Sequence, residues 1–95
     1  MNKIVTENEK RILSQALWDL NLTPEEFLEI IEGKRTREWP DRGFCVARML
    51  ESINWFDIVK IIKPKEICNL WGEAKKYVRR KSIKDGMEFA CRILR

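Results

Sequence analysis

LTPEEFLEIIEG, residues 22–33, reads as one helix with both of its ends written in. Thr23 is a residue type that accepts a hydrogen bond from the third helical N–H, and Glu26 stands where a capping box needs its carboxylate. Pro24 suits the first helical position, where no N–H is required. Phe27, Leu28, Ile30 and Ile31 recur at helical spacing and form one apolar side. Gly33 supplies a left-handed stop just past the end. Glu25 and Glu26 fall in the first turn, where carboxylates favour the macrodipole, so their pairing has a structural explanation before any acid–base one.

The same grammar extends in both directions. Upstream, Thr6-Glu7-Asn8-Glu9 has the form of a capping box, and a helix starts near Glu7 with Ile12, Leu13, Ala16, Leu17 and Leu20 as its apolar stripe. Downstream, periodicity disappears across KRTREWPDRG, residues 34–43, which reads as a loop. Asp41 caps the next helix, in which Phe44, Ala47 and Leu50 keep phase to about Ser52. Asn54 opens a further short helix carrying Trp55, Phe56, Ile58, Val59, Ile61 and Ile62. It must end early, because Pro64 disfavours helical geometry at Lys63.

Pro64 opens the next helix. At 100° per residue, Ile67, Leu70, Trp71, Ala74, Tyr77 and Val78 fall within an arc of about 120°, and Gly72 falls on the polar side. The phase predicts one helix from Pro64 to about Arg80, with Lys75, Lys76, Arg79 and Arg80 opposite the apolar arc. Ser82-Ile83-Lys84-Asp85 resembles a final capping box, followed by Ile83, Met87, Ala90 and Leu94 at helical spacing. No stretch alternates with period two, and no hairpin dipeptide occurs. The expectation is an all-α fold over residues 1–95: a single compact domain of about six helices with short connections. LTPEEFLEIIEG and IKPKEICNLWG echo each other, which hints at stacked helical hairpins; shared capping chemistry gives the same echo without a repeat.

Composition excludes several function classes. The 95 residues are 44% hydrophobic and 36% charged, the balance of a folded soluble chain large enough for one core. No apolar run approaches the length of a membrane span, and MNKIVTENEK lacks the apolar centre of a secretory signal, so a cytoplasmic protein is expected. The three cysteines, Cys45, Cys68 and Cys91, are widely spaced and fall in apolar helical stretches; they read as small buried thiols of a reducing compartment. There is no histidine, which removes the commonest general base and the usual ligand sets, and no glycine-rich phosphate loop. No catalytic residue, metal or cofactor is expected, and the chain does not read as an enzyme.

Charge is where function shows. The net charge is +4, but residues 1–33 carry three basic and seven acidic groups, whereas residues 34–95 carry sixteen basic and eight acidic groups. Such polarity favours oriented encounters with charged partners. Two basic clusters stand out: Lys34, Arg35, Arg37 and Arg42 in the loop, with Trp39 among them, and Lys75, Lys76, Arg79, Arg80, Lys81 and Lys84. The second is open to two explanations. It is either the solvated face of a helix, with cations near its C-terminal end where the dipole favours them, or a contact surface. A contact surface divides again between phosphate backbone and an acidic protein. Base-specific DNA reading is harder to support, because the helix after Pro64 carries its positive charge at the far end and not at the N-terminal end that would enter a groove. Trp55, Phe56, Trp71 and Tyr77 lie in helical phase and read as core; Trp39 has no stripe to join and reads equally as partner contact or as packing over the core.

Several short motifs carry a resemblance. Ala16-Leu17-Trp18-Asp19, Arg48-Met49-Leu50-Glu51, Trp55-Phe56-Asp57-Ile58-Val59-Lys60, Ser82-Ile83 and Glu88-Phe89-Ala90 together resemble a group of small bacterial proteins encoded beside nucleotidyltransferase-type toxins of the abortive-infection class. The resemblance implies an antitoxin-like or accessory role through protein binding and transfers no catalytic residue. The first motif departs from the group's pattern, having Leu20 where a further acidic residue stands.

Three readings follow. The first is a non-catalytic module that binds a protein partner, a nucleotidyltransferase-type toxin by resemblance, through Arg35, Arg37, Trp39 and the Lys75–Arg80 face. The second is a nucleic-acid-binding domain using the same cations on phosphates, DNA or RNA. The third is a homo-oligomer in which Trp39 and its basic loop pack on the acidic N-terminal third of another copy.

Overall fold

A computed structural model of the chain describes residues 5–35 and 40–94. Within them the chain forms six helices: α1 (Glu7–Leu17), α2 (Pro24–Ile31), α3 (Arg42–Ser52), α4 (Trp55–Ile61), α5 (Pro64–Ala74) and α6 (Lys81–Leu94). The fold is all-α, with principal extents of 32 × 26 × 24 Å among the described residues.

The helix starts follow the capping chemistry. Thr6 and Thr23 each form a complete capping box. The Glu9 and Glu26 N–H groups donate to the threonine hydroxyls at 3.1 Å, and the threonine N–H groups donate to the Glu9 and Glu26 carboxylates at 3.0 Å. Asp41 accepts from the Phe44 N–H at 2.9 Å, and Asn54 from the Asp57 N–H at 3.0 Å. At the end of α2, Gly33 takes φ +80°, and the N–H groups of Gly33 and Lys34 donate back to Ile30 and Glu29, the paired bonds of a Schellman stop.

α3 is the hub. It packs on α1, α2, α4 and α5, and it buries Cys45, Val46, Ala47, Met49 and Leu50 among them. Both α2 and α5 lie against it, so the two echoing segments are stacked on one central helix. The crossing with α5 is close. A Cβ at Gly43 would stand 2.4 Å from the Glu73 carbonyl oxygen, so only glycine allows the backbones this near. Phe27, Leu13, Leu28, Met49, Ile58 and Ile67 fill the interior and are almost wholly excluded from solvent. No helix among the described residues is long and apolar enough to cross a membrane.

Four expectations need correction. The helix after Pro64 passes through Gly72 as its phase requires, yet it stops at Ala74 and not near Arg80. Three tertiary contacts end it. The Tyr77 hydroxyl is drawn to Asp41, Val78 is buried in the core, and the N–H groups of Arg79 and Arg80 donate to Glu51 Oε2 at 3.1 and 3.4 Å. The last turn tightens accordingly, with Tyr77 N–H donating to Ala74 and Val78 N–H to Lys75. α6 then begins at Lys81, which puts Ser82 inside the helix and not at its cap.

The cysteines are buried, as their setting suggests, but two of them are not thiols. Cys68 of α5 and Cys91 of α6 are joined in a disulfide, with Cα atoms 5.3 Å apart across a sequence separation of 23. Packing of α5 against α6 brings them together, which sequence spacing could not reveal. Cys45 is buried outside the bridge. Finally, Phe56 is 78% exposed and not core. It lies two residues from buried Ile58, about 200° around the helix axis.

Candidate interaction surface

The two basic clusters meet different fates. In the first, the described cations are engaged within the molecule. Lys34 lies 3.9 Å from Glu32, and Arg35 lies 3.9 and 3.7 Å from Glu26 and Glu29. Arg42 Nε donates to the Ile31 carbonyl at 2.8 Å, so this guanidinium closes the C-terminal end of α2. Arg37 and Trp39 lie outside the described residues.

The second cluster remains open to solvent. Lys75 sits at the C-cap of α5 and Lys76 just beyond, with its ammonium 5.2 Å from the Tyr77 ring centre. Arg79 and Arg80 follow in the link between α5 and α6, where Glu51 accepts from their N–H groups, and both residues are exposed. Lys81 and Lys84 occupy the first turn of α6. None of the six makes an ion pair among the described residues. The two ends of this ridge have opposite electrostatic consequences. Lys75 and Lys76 complement the negative end of α5, whereas Arg79, Arg80, Lys81 and Lys84 crowd the positive end of α6. Four of the six cations therefore stand where a helix disfavours them. The ridge is not one face of a single helix: it spans the end of α5, the link after it and the first turn of α6.

Other polar side chains anchor the ridge, and sequence spacing gave no sign of them. Asp41 accepts both the Phe44 N–H and the Tyr77 hydroxyl, the latter at 2.8 Å. Partial burial works to raise the Asp41 pKa, but the Phe44 N–H, the Tyr77 hydroxyl and the Lys76 charge outweigh it and hold the carboxyl below its ordinary value. The Tyr77 hydroxyl is pushed upward in turn, first by its bond to Asp41, then by burial and by the Asp41 charge. Tyr77 also meets Phe44 edge to face, with ring centres 5.8 Å apart. On α3, Arg48 grips Asp19 with both guanidinium nitrogens and lies over the rings of Phe44 and Trp18 at 5.3 and 5.9 Å. The Arg48 hydrogen bonds lower the Asp19 pKa, against a smaller opposing effect of burial. Asp19, Arg48 and Glu51 all lie in the short motifs quoted above; in the fold they brace elements against one another.

Beside the ridge runs an apolar groove of about 390 Å³, lined by Leu50, Ile53, Trp55, Ile58, Ile83 and Met87, with Gly86 and Ala90 along its α6 wall. Among the described residues, no group of three His, Cys, Asp or Glu side chains is placed to hold a metal ion. The chain matches no family model, and no curated protein or solved structure is significantly similar to it.

Proposed function

We propose that this chain is a non-catalytic binding module of the antitoxin-like kind, acting in the cytoplasm by docking its basic ridge on an acidic protein surface. One observation carries the reading. The cations from Lys75 to Lys84 stay exposed and without ion pairs among the described residues, and four of them, Arg79, Arg80, Lys81 and Lys84, oppose the α6 dipole, so helix electrostatics gives no reason for those four. An external anionic surface accounts for them. Carboxylates stand among these cations, Glu51 beside Arg79 and Arg80 and Asp85 next to Lys84. That mixture suits the patterned charge of a protein better than a continuous phosphate track. The partner implied by resemblance is a nucleotidyltransferase-type toxin.

The test is capture of such a toxin by the wild type and by a variant with Lys75, Lys76, Arg79 and Arg80 all changed to Glu. Stoichiometric capture by the wild type, lost in the variant while its helical content is kept, supports the proposal. Equal capture by both removes the ridge from the interaction, and capture by neither removes the partner.

A second reading has its own support. The first turn of α6 offers backbone N–H groups beside four cations, a setting suited to a phosphate. Fluorescence anisotropy with duplex DNA across a salt series decides it. Phosphate contact requires affinity to fall steeply with salt as counterions are released, and a flat dependence rules it out.

A further inference from the structure

The apolar surface of α6 is wider than the surface it buries. On a wheel of 100° per residue, no charged residue occupies an arc of about 200° that runs from Phe89 through Ser82, Ile93, Gly86, Ala90, Ile83 and Leu94 to Met87 and Cys91. Only Met87 and Cys91 at one edge are buried, while Phe89 and Ile93 are 62% and 66% exposed. Ser82, Gly86, Phe89 and Ile93 follow one another at spacings of four, three and four, which is the seam of a coiled coil. A Cβ at Gly86 would meet nothing within 4 Å, so the seam is open there.

We propose that this seam pairs with the α6 seam of a second copy, antiparallel across a two-fold axis. Sequence register and charge together select that arrangement. With the helices antiparallel and the seam residues layered, Phe89 of one copy faces Gly86 of the other, and Ile93 faces Ser82. Each layer sets a large side chain against a small one, as interdigitation requires. Asp85 and Arg92 flank the seam on the same edge, both exposed and neither in an ion pair among the described residues. In this register Asp85 of each copy lies beside Arg92 of the other, giving two reciprocal ion pairs. A slip of one heptad in either direction sets Arg92 against Arg92 or Asp85 against Asp85. A parallel pairing leaves both charges opposite Ile83 and Ala90 of the other edge. Only the antiparallel, unslipped pair satisfies shape and charge at once.

The 14 residues of α6 span about 21 Å, so the interface is at the small end of specific contacts and the dimer is weak and concentration-dependent. Sedimentation equilibrium over a wide concentration range tests it with four proteins. The wild type dimerises. Phe89→Glu, at an exposed site that leaves the fold intact by circular dichroism, is monomeric. Asp85→Arg and Arg92→Asp each self-associate about tenfold more weakly, because every flanking pair becomes repulsive. Mixed in equal amounts, those two variants form a heterodimer, since one carries two positive flanks and the other two negative ones. A wild type that stays monomeric overturns the proposal. So does a dimer indifferent to Phe89→Glu, or a mixture that associates no better than its components.

Discussion

The Tyr77 hydroxyl donates to Asp41 Oδ2 at 2.8 Å across 36 residues, while Oδ1 of the same carboxylate accepts the Phe44 N–H at 2.9 Å. One side chain thus starts α3 and stops α5, and it fixes where the basic ridge leaves the helix.

This pair gives stability a limit at each end of the pH scale. Asp41 and Asp19 have lowered pKa values in the fold, so the unfolded chain binds more protons in acid. Their contribution is complete above the unfolded carboxyl value near 4 and is lost as pH falls through the lower folded values. Tyr77 is raised, so its contribution is complete below the unfolded value near 10 and is lost as pH rises through the folded one. Urea denaturation across pH should show a plateau between about pH 5 and 9. Tyr77→Phe should remove the alkaline fall and flatten part of the acid one.

Gly43→Ala tests the α3–α5 crossing. A Cβ 2.4 Å from the Glu73 carbonyl forces the two backbones apart, at a cost of about 1–3 kcal/mol despite the better helix propensity of alanine. Gly72→Ala, where a Cβ meets nothing within 4 Å, should instead stabilise by up to about 1 kcal/mol. Opposite shifts in thermal midpoint for two glycine-to-alanine changes are the expected result.

The Cys68–Cys91 bridge closes a loop of 23 residues in sequence separation, for which chain-entropy arguments give about 3 kcal/mol. Changing both residues to Ala should therefore lower the thermal midpoint by roughly 15 °C. The cytoplasmic location proposed above makes the opposite demand, since reducing compartments keep such thiols open. Cells lysed directly into an alkylating agent separate the two. Alkylated Cys68 and Cys91 fit the cytoplasm, and an unmodified pair places the chain in an oxidising compartment.

Helix caps offer a paired comparison. Thr23→Ala removes the α2 capping box and should cost about 1 kcal/mol. α5 has no side-chain cap, because Lys63 occupies the position. Lys63→Asp should supply one and stabilise by up to about 1 kcal/mol.

Lys81→Glu separates stability from binding. An acidic residue in the first turn of α6 complements the dipole and should add about 0.5 kcal/mol. It should also weaken docking on an acidic partner. A variant that is both more stable and fully competent in toxin capture would remove Lys81 from the interface.

Local chemistry made most of the fold legible. Caps and prolines are short-range instructions, so Thr6, Thr23, Asp41 and Asn54 mark helix starts wherever the rest of the chain lies. The apolar phase likewise identified Phe27, Leu28, Ile67 and Trp71 as interior. The candidate surface was legible only as composition. Glu32, Glu29 and Glu26 stand close to Lys34 and Arg35 in sequence, but only the turn after α2 brings them into ion pairs, and nothing beside Arg42 tells that the Ile31 carbonyl eleven residues earlier accepts from it.

What the sequence determined by itself was the helical class, the starts of five helices and the bipolar distribution of charge, because each depends on neighbours a few residues apart. Tertiary structure alone decided where α5 ends, which cysteines meet, and which basic cluster makes no ion pair among the described residues. Tyr77, Val78, Arg79 and Arg80 have partners some thirty residues away or in the core, in Asp41, Glu51 and the packed interior. Those contacts outweigh a helical phase that would otherwise have run on. They turn the Lys75–Lys84 run from the back of one helix into a ridge at the start of the next.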